Sequence, residues 1–290
     1  MSDDPFVTHR RLLFTVAYEM LGSAADAEDV VQESWLRWAG VDQDDVRDPR
    51  SYLVRVVTRQ ALNRMRTQSR RREDYVGEWL PEPLLTSPDV ADDVELAESV
   101  SLAMLTVLET LRPAERAVFV LREVFDVPYE EIAQAVDRSP AAVRQIAHRA
   151  REHVAARRPR VDVDRAEQRR VVDRFLAALS TGDVQGLMDV LAPDVVLVSD
   201  GGGVVQAARH PIVGADRIAR YLVGGIGKAR GVISATSAPL NGAPGIRVEV
   251  DGVLATAVCV VVVDGRITQL FGIANPAKLA HVDEEARLAR

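Results

Sequence analysis

The spacing of apolar residues changes class once along this 290-residue chain, and that change limits the folds open to it. Up to about residue 155 the apolar residues recur every three or four positions, as helices require. Beyond about residue 190 they run in short β-branched blocks separated by turn residues. Leu12, Leu13, Val16, Ala17, Met20 and Leu21 describe a first helix that stops at Gly22, a residue suited to a helix C-terminus. Ser23, with Asp26 three positions on, opens a second helix expected to bury Ala27, Val30, Val31, Ser34, Trp35 and Trp38 and to end at Gly40. Its outer side carries Asp26, Glu28, Asp29, Gln32 and Glu33. A loop over 41–49 leads to a third helix, from about Arg50 to Gln68, expected to bury Leu53, Val56, Val57, Ala61, Leu62 and Met65.

Residues 73–95 break this pattern. Pro81, Pro83 and Pro88 stand among dense acids, which reads as a linker. It holds one anomaly, Trp79-Leu80-Pro81-Glu82-Pro83. Leaving the tryptophan and the leucine in water forfeits roughly 1.5–3 kcal/mol each, so the pair is expected to dock. Helices resume at about Glu95–Leu111 and again after Pro113, with Val118, Phe119, Leu121 and Val124 as the core face of the latter. A short helix around Glu130, Ile132, Ala133 and Val136 then meets the turn 136–139, where Ser139 caps a new helix with Pro140 at its first position. Ile132, Ala133 and Val136 can pack on Val143, Ile146, Ala147 and Ala150 as in a helix-turn-helix. Ala141, Arg144, Gln145, His148 and Arg149 fall on the opposite stripe of the second helix.

From residue 164 an amphipathic helix (Val171, Val172, Phe175, Leu176, Leu179) and a short one at 184–191 precede strand-like runs at 195–198, 231–235, 245–250, 253–263 and 266–272. A helix at 216–223 lies between them, and Val263-Asp264-Gly265-Arg266 is a hairpin signal. This order predicts a curved sheet wrapped around a helix.

The net charge of −7 hides a segregation. Eight arginines and no acid lie between Arg50 and Arg72, and nine acids and no base between Glu73 and Glu98. Seven arginines against Glu152 alone lie between Arg138 and Arg160. Two cationic surfaces joined by an anionic strap suit a polyanion binder shielded from nonspecific contacts. No apolar run reaches the roughly 18–20 residues of a membrane span, and the N-terminus lacks a signal-peptide pattern. A cytosolic location is therefore expected. Cys259, the single cysteine, lies in an apolar run and reads as a buried structural thiol.

Two stretches carry a resemblance. Residues 26–37 (DAEDVVQESWLR), Pro49-Arg50-Ser51-Tyr52-Leu53 and Ala61-Leu62-Asn63-Arg64-Met65-Arg66 resemble region two of the extracytoplasmic-function sigma factors, and residues 96–157 resemble their region four. Tyr52 stands where many members have tryptophan, and Asp137 where the turn often has glycine. The C-terminal part is similar to NTF2/SnoaL-like domains. Three signatures of the sigma factors carrying such a domain stand here as Trp79-Leu80-Pro81-Glu82-Pro83, Asp200-Gly201-Gly202-Gly203 and Asn275-Pro276-Ala277-Lys278-Leu279, with Val204 where a lysine is usual.

The resemblance implies two all-α sigma domains, a region 2 bundle and a region 4 helix-turn-helix, followed by an α+β cone with a curved, mostly antiparallel sheet. The expected boundaries are 1–72 for region 2, 73–95 for the acidic linker, 96–158 for region 4 and 159–290 for the regulatory α+β domain. It further implies that Asp26, Asp29, Gln32 and Glu33 dock on the clamp of the large subunit of core RNA polymerase. Promoter DNA at the minus-10 element would meet Arg50, Ser51, Tyr52, Arg55, Arg59, Asn63 and Arg66. The minus-35 element would meet Arg144, Gln145, His148 and Arg149, since arginine reads guanine and glutamine adenine through paired hydrogen bonds. Trp79, Leu80, Pro81, Asp200, Gly201, Gly202, Asn275, Pro276, Lys278 and Leu279 would form regulatory contacts.

No cofactor or metal is expected, because no His/Cys/carboxylate spacing suits one. The alternative is an enzymatic or ligand-binding cone fused to a DNA-binding module. Its acid–base candidates are Asp200, His210 and Tyr221, and it places a small ligand in the C-terminal domain.

Overall fold

The computed structural model describes residues 4–73, 75–87, 90, 92–158, 164–228 and 230–290. The side chains of Arg70, Arg71 and Arg72, the linker residues Asp74, Pro88 and Asp89, and Arg160 in the second tether lie outside the described residues. The chain forms two compact units, Met1–Asp74 with Glu98–Arg158 and Arg287–Arg290, and Tyr75–Ala97 with Pro159–Ala286.

The first unit is helical. α1 (Pro5–Leu21) ends where Gly22 turns left-handed, and Ser23 Oγ accepts from Asp26 N to start α2 (Ala24–Ala39). Trp38 Nε1 donates to Asp4 Oδ1 at 3.0 Å, tying the end of α2 to the start of α1. α2 buries Ala27, Val30, Val31, Ser34 and Trp38 as expected, but Trp35 is 45% exposed. The stripe through 27, 30, 31, 34 and 38 is already full, and Trp35 sits at its edge beside exposed Leu36. α3 (Pro49–Glu73) runs longer than its apolar pattern, and Val54 is buried while Val56 is only half-buried.

The expected long helix at 95–111 is two, α4 (Val94–Ser99) and α5 (Leu102–Leu108). Ser101 Oγ accepts from Met104 N, and that cap starts a new helix at the break. α6 (Pro113–Phe119) widens into a π turn at Val120–Val124. α7 (Tyr129–Val136) and α8 (Pro140–Ala155) make the helix-turn-helix. Asp137 takes the left-handed conformation at the turn, and Ser139 caps α8. Ile132, Ala133, Val143, Ala147 and Ala150 are buried between the two helices' inner faces and the rest of the unit. Arg116 is buried where the α1–α3 and α5–α8 groups meet. It donates to the carbonyls of Leu108 and Met20 and pairs with Glu109 at 2.8 Å. Burial pushes its guanidinium down to about 9.

The second unit is an α+β cone. α9 (Arg165–Thr181) and α10 (Val184–Val190) precede β2 (Leu191–Asp200), β3 (Ile212–Val213), α11 (Ala215–Lys228), β4 (Ile233–Leu240), β5 (Ala243–Val250), β6 (Val253–Val263) and β7 (Arg266–Ile273). α12 (Pro276–Leu279) and β8 (Glu285–Ala286) close it. β1 (Leu85–Thr86) comes from the acidic segment. The sheet order is β3-β2-β7-β6-β5-β4-β1-β8, with β2–β7 and β1–β8 parallel and the other pairs antiparallel. Register shifts between β5 and β6 and between β6 and β7 mark bulges of the kind that bend a sheet. Val172, Phe175, Leu187, Val195, Ile218, Ile246 and Leu270 form the core between helices and sheet. Cys259 is buried, which pushes its thiol up to about 12.

Candidate nucleic-acid interface and linker clasp

The outer side of α2 is held from α3. Arg64 reaches Asp26 at 3.3 Å and Asp29 at 2.6 Å, Gln68 donates to Asp26, and Gln60 donates to Glu33 at 2.9 Å. Asp26 is therefore largely engaged, whereas the side chains of Asp29 and Glu33 stay more than half exposed. Gln32, Trp35 and Leu36 are exposed one turn along the same helix. The result is an acidic surface with an aromatic at its border, which the apolar pattern had assigned to the core.

On α3 the expected DNA residues divide. Ser51 serves the helix start: its N–H and hydroxyl both donate to Asp48, and those bonds hold the Asp48 carboxyl below its ordinary value. Tyr52 packs on Trp38 with ring centres 5.8 Å apart, and the Arg55 guanidinium lies 5.3 Å from the Tyr52 ring. Arg55 Nη1 donates to Gln134 Oε1 at 2.9 Å, and Arg59 Nη2 donates to the Gln134 carbonyl at 2.8 Å. Gln134 belongs to α7, the first helix of the helix-turn-helix. Two expected phosphate contacts are thus taken up by the other helical group. Arg50 is half-buried, while Asn63 and Arg66 are exposed and joined to each other at 3.3 Å.

The stripe on α8 is free of the core: Arg144, Gln145, His148 and Arg149 are all exposed. Arg144 lies 3.7 Å from Glu130 and 5.9 Å from the centre of the Tyr129 ring, and His148 lies 3.6 Å from Glu152. These are weak surface pairs.

Three signatures far apart in sequence meet inside the second unit. Asp200, at the end of β2, is fully buried. Its Oδ1 accepts from the Tyr75 hydroxyl at 2.5 Å and from Gly202 N at 3.0 Å. Its Oδ2 accepts from Leu80 N at 2.9 Å and from Lys278 Nζ at 2.7 Å. Lys278 is buried as well, donates to the Leu80 carbonyl at 2.5 Å, and sits 3.2 Å over the Trp79 ring. Tyr75 and Trp79 meet edge to face at 4.7 Å. Asn275 Nδ2 donates to the Tyr75 hydroxyl, whose pKa is raised by burial and by the neighbouring Asp200 carboxylate. Leu80 and Leu84 are among the most buried side chains of the protein, and Pro81 and Leu279 are buried too, while Pro276 is an exposed helix-start residue.

The glycines after Asp200 fit this geometry. Gly202 has φ +62°, and a side chain there would collide with Asn275, while one at Gly201 would strike the Val205 carbonyl. Further along, Leu84 N donates to Asn241 Oδ1, Leu85 pairs with Leu240, and Thr86 Oγ1 accepts from Gly242 N. The acidic segment is therefore a gripped strap and an added strand of the cone. Sequence reasoning missed Tyr75, Thr86 and Asn241 in this grip. The only local hint was an aromatic at 75, four residues before Trp79 in an otherwise polar run.

Residues 6–71 match the family model described as Sigma-70 region 2, and residues 101–154 match that described as Sigma-70, region 4. The chain is 38% identical over 296 residues to the ECF RNA polymerase sigma factor SigJ of Mycobacterium tuberculosis, covering 96% of this chain and 93% of that protein. It is 35% identical over 275 residues to the probable ECF RNA polymerase sigma factor SigI of the same organism, covering 93% and 92%. The crystal structure of SigJ superposes with a TM-score of 0.76 at 36% identity, over 96% of this chain and 98% of that one.

Proposed function

This chain belongs to the extracytoplasmic-function sigma factors of the sigma-70 family, and from that premise we propose that its C-terminal α+β domain regulates promoter-specific initiation by gripping the strap between regions 2 and 4. An alternative sigma factor binds core RNA polymerase and promoter DNA. The finer assignments are our reading. Asp29, Gln32 and Glu33 dock on the clamp, with Asp26 positioned by Arg64 and Trp35 as an apolar anchor beside them. Arg144, Gln145, His148 and Arg149 read the minus-35 element. Arg50, Tyr52, Arg55, Arg59, Asn63 and Arg66 meet the minus-10 element, with Ser51 setting the start of their helix.

The observation that carries the regulatory reading is the buried Asp200–Lys278 pair with Leu80 between its arms. A buried ion pair is costly to assemble and costs about 3–5 kcal/mol to break from one side. Placing one around a segment that joins two DNA-reading groups fixes that segment's path. The bonds from Arg55 and Arg59 to Gln134 support a resting state in which the minus-10 surface is partly occupied. Initiation then requires the strap to be released or re-sited.

The test uses a variant that keeps Trp79 as its sole tryptophan (Trp35→Phe, Trp38→Phe), quenched with acrylamide with and without Lys278→Met. Trp79 is expected to be shielded until Lys278 is replaced. Equal quenching at the level of free tryptophan in both proteins contradicts the grip.

A further inference from the structure

The cone encloses a cavity of about 530 Å³, within the roughly 300–1,000 Å³ typical of small-molecule sites. It lies between α9, α11 and the concave face of the sheet, with Leu179, Leu222, Ile246, Val258 and Leu270 among its walls. Among the described residues its polar lining consists of Ser180, Ser199, Gln206, Tyr221 and Thr256, with no carboxylate, amine, guanidinium or imidazole. Of the acid–base candidates read from the sequence, only Tyr221 lines it. Asp200 is spent in the clasp, and His210 is exposed outside the lining. An acyl, phosphoryl or proton-transfer reaction would need a positioned acid or base, and this cavity offers none near its floor. A charged guest would lose its hydration with no counter-charge in reach. The side chains of Ser199, Gln206, Tyr221 and Thr256 make no hydrogen bond to other described residues, which leaves them available to a carbonyl or hydroxyl. Tyr221 and Ile226, 40% and 38% exposed, form an apolar mouth.

The cavity wall also adjoins the clasp. Ser199 and Gly272 line it as paired residues of β2 and β7, and the next pair along is Asp200 with Ile273. Ala274, another lining residue, and Asn275 both donate from their N–H groups to the Asp200 carbonyl. A guest that shifts this end of β2 or β7 moves the atoms that hold Tyr75, Leu80 and Lys278.

We propose that the cone is a receptor site for a neutral, largely apolar small molecule with a hydrogen-bonding group, bound without turnover and sensed at the clasp. The sensing half rests on the regulatory reading above.

The experiment titrates the full-length chain with Nile red, an uncharged lipophilic dye, and competes it with 1-decanol or with decanoate, which is ionised at neutral pH. Saturable one-to-one binding is expected, and decanoate should compete about ten-fold more weakly than decanol, or worse. Ala235→Trp and Val258→Trp, which fill the cavity from two walls, should each weaken dye binding by about ten-fold or more. Unsaturable binding, equal competition by decanoate, or undiminished dye affinity in a folded filled variant overturns the site. If neither filled variant folds, the decanol and decanoate comparison on the unaltered chain decides. In the Trp79-only variant, saturating decanol should change acrylamide quenching; binding without that change overturns the sensing half. Trp79 already exposed before any addition is a failure of the clasp reading, and saturable dye binding would still stand beside it.

Discussion

Glu19 of α1 is fully buried, with one carboxyl oxygen accepting from Ser99 Oγ at 2.7 Å and the other without a partner among the described residues. Burial pushes its pKa from an ordinary 4.5 up to about 8, against the smaller opposing pull of the Ser99 bond. The folded chain therefore keeps a proton that the unfolded chain releases. Its contribution is full below about 4.5 and declines as the pH rises towards about 8. Glu19→Gln keeps the acceptor for Ser99 and removes the titration. The variant should match the parent near pH 4.5 and exceed it by on the order of 3 kcal/mol near pH 8, read by urea unfolding at both values. Parallel curves at both pH values contradict this account. Burial at single positions was only partly legible. The helical pattern located Trp38 correctly and placed Trp35 inside, because spacing does not say where a stripe is already full. Asp200 was marked as a contact residue by its signature and its glycine run, but its partners were not legible, since the four groups that bond its carboxylate come from positions 75, 80, 202 and 278.

Helices and hairpins were more legible than single side chains, because their signals are local. Ser23, Ser139 and Pro140 mark the starts they appeared to mark. Asp264-Gly265 makes the expected tight turn, with φ of 50° and 68°. Asn241-Gly242 and Asp251-Gly252 repeat the same geometry and extend β4 to Leu240, which the runs of β-branched residues alone did not suggest. β1 was not legible: two residues in a proline-marked stretch gain their partners from Leu240 and Glu285, and no local pattern encodes that pairing. Two predictions belong to this scale. Replacing Asp29, Gln32 and Glu33 together by alanine should weaken competition for core polymerase by about ten-fold or more while circular dichroism is unchanged; Arg64 keeps Asp26 as a partner in that variant. Normal competition removes α2 from the docking surface. On α8, Arg144→Ala should relax preference at one base position, at a cost of about 1–3 kcal/mol. Arg157→Ala, beyond the helix end, should weaken all DNA evenly and lower the salt slope by about one. Equal losses on specific and random DNA for both variants contradict the distinction.

At the scale of the whole molecule, the organisation is interleaved. Residues Tyr75–Ala97 belong with the cone, although they join two groups of helices that form the other unit. The charge pattern anticipated a strap but not its destination, since a proline-marked stretch with nine acids between Glu73 and Glu98 looks solvated until Leu80 and Leu84 are seen buried, and Trp79 half-buried, against the cone. In the proposed reading, the domain that holds the connection between regions 2 and 4 sets how they engage a promoter without touching DNA itself. The most direct measurement is transcription in vitro with core RNA polymerase on a library of paired minus-35 and minus-10 elements, comparing the unaltered chain with Lys278→Met. The account predicts the same preferred promoters for both proteins, with transcript yield changed by about three-fold or more once the clasp is broken, a shift of about 0.7 kcal/mol in the balance of states. Absence of promoter-dependent transcripts, or identical yields from a folded Lys278→Met protein, contradicts it.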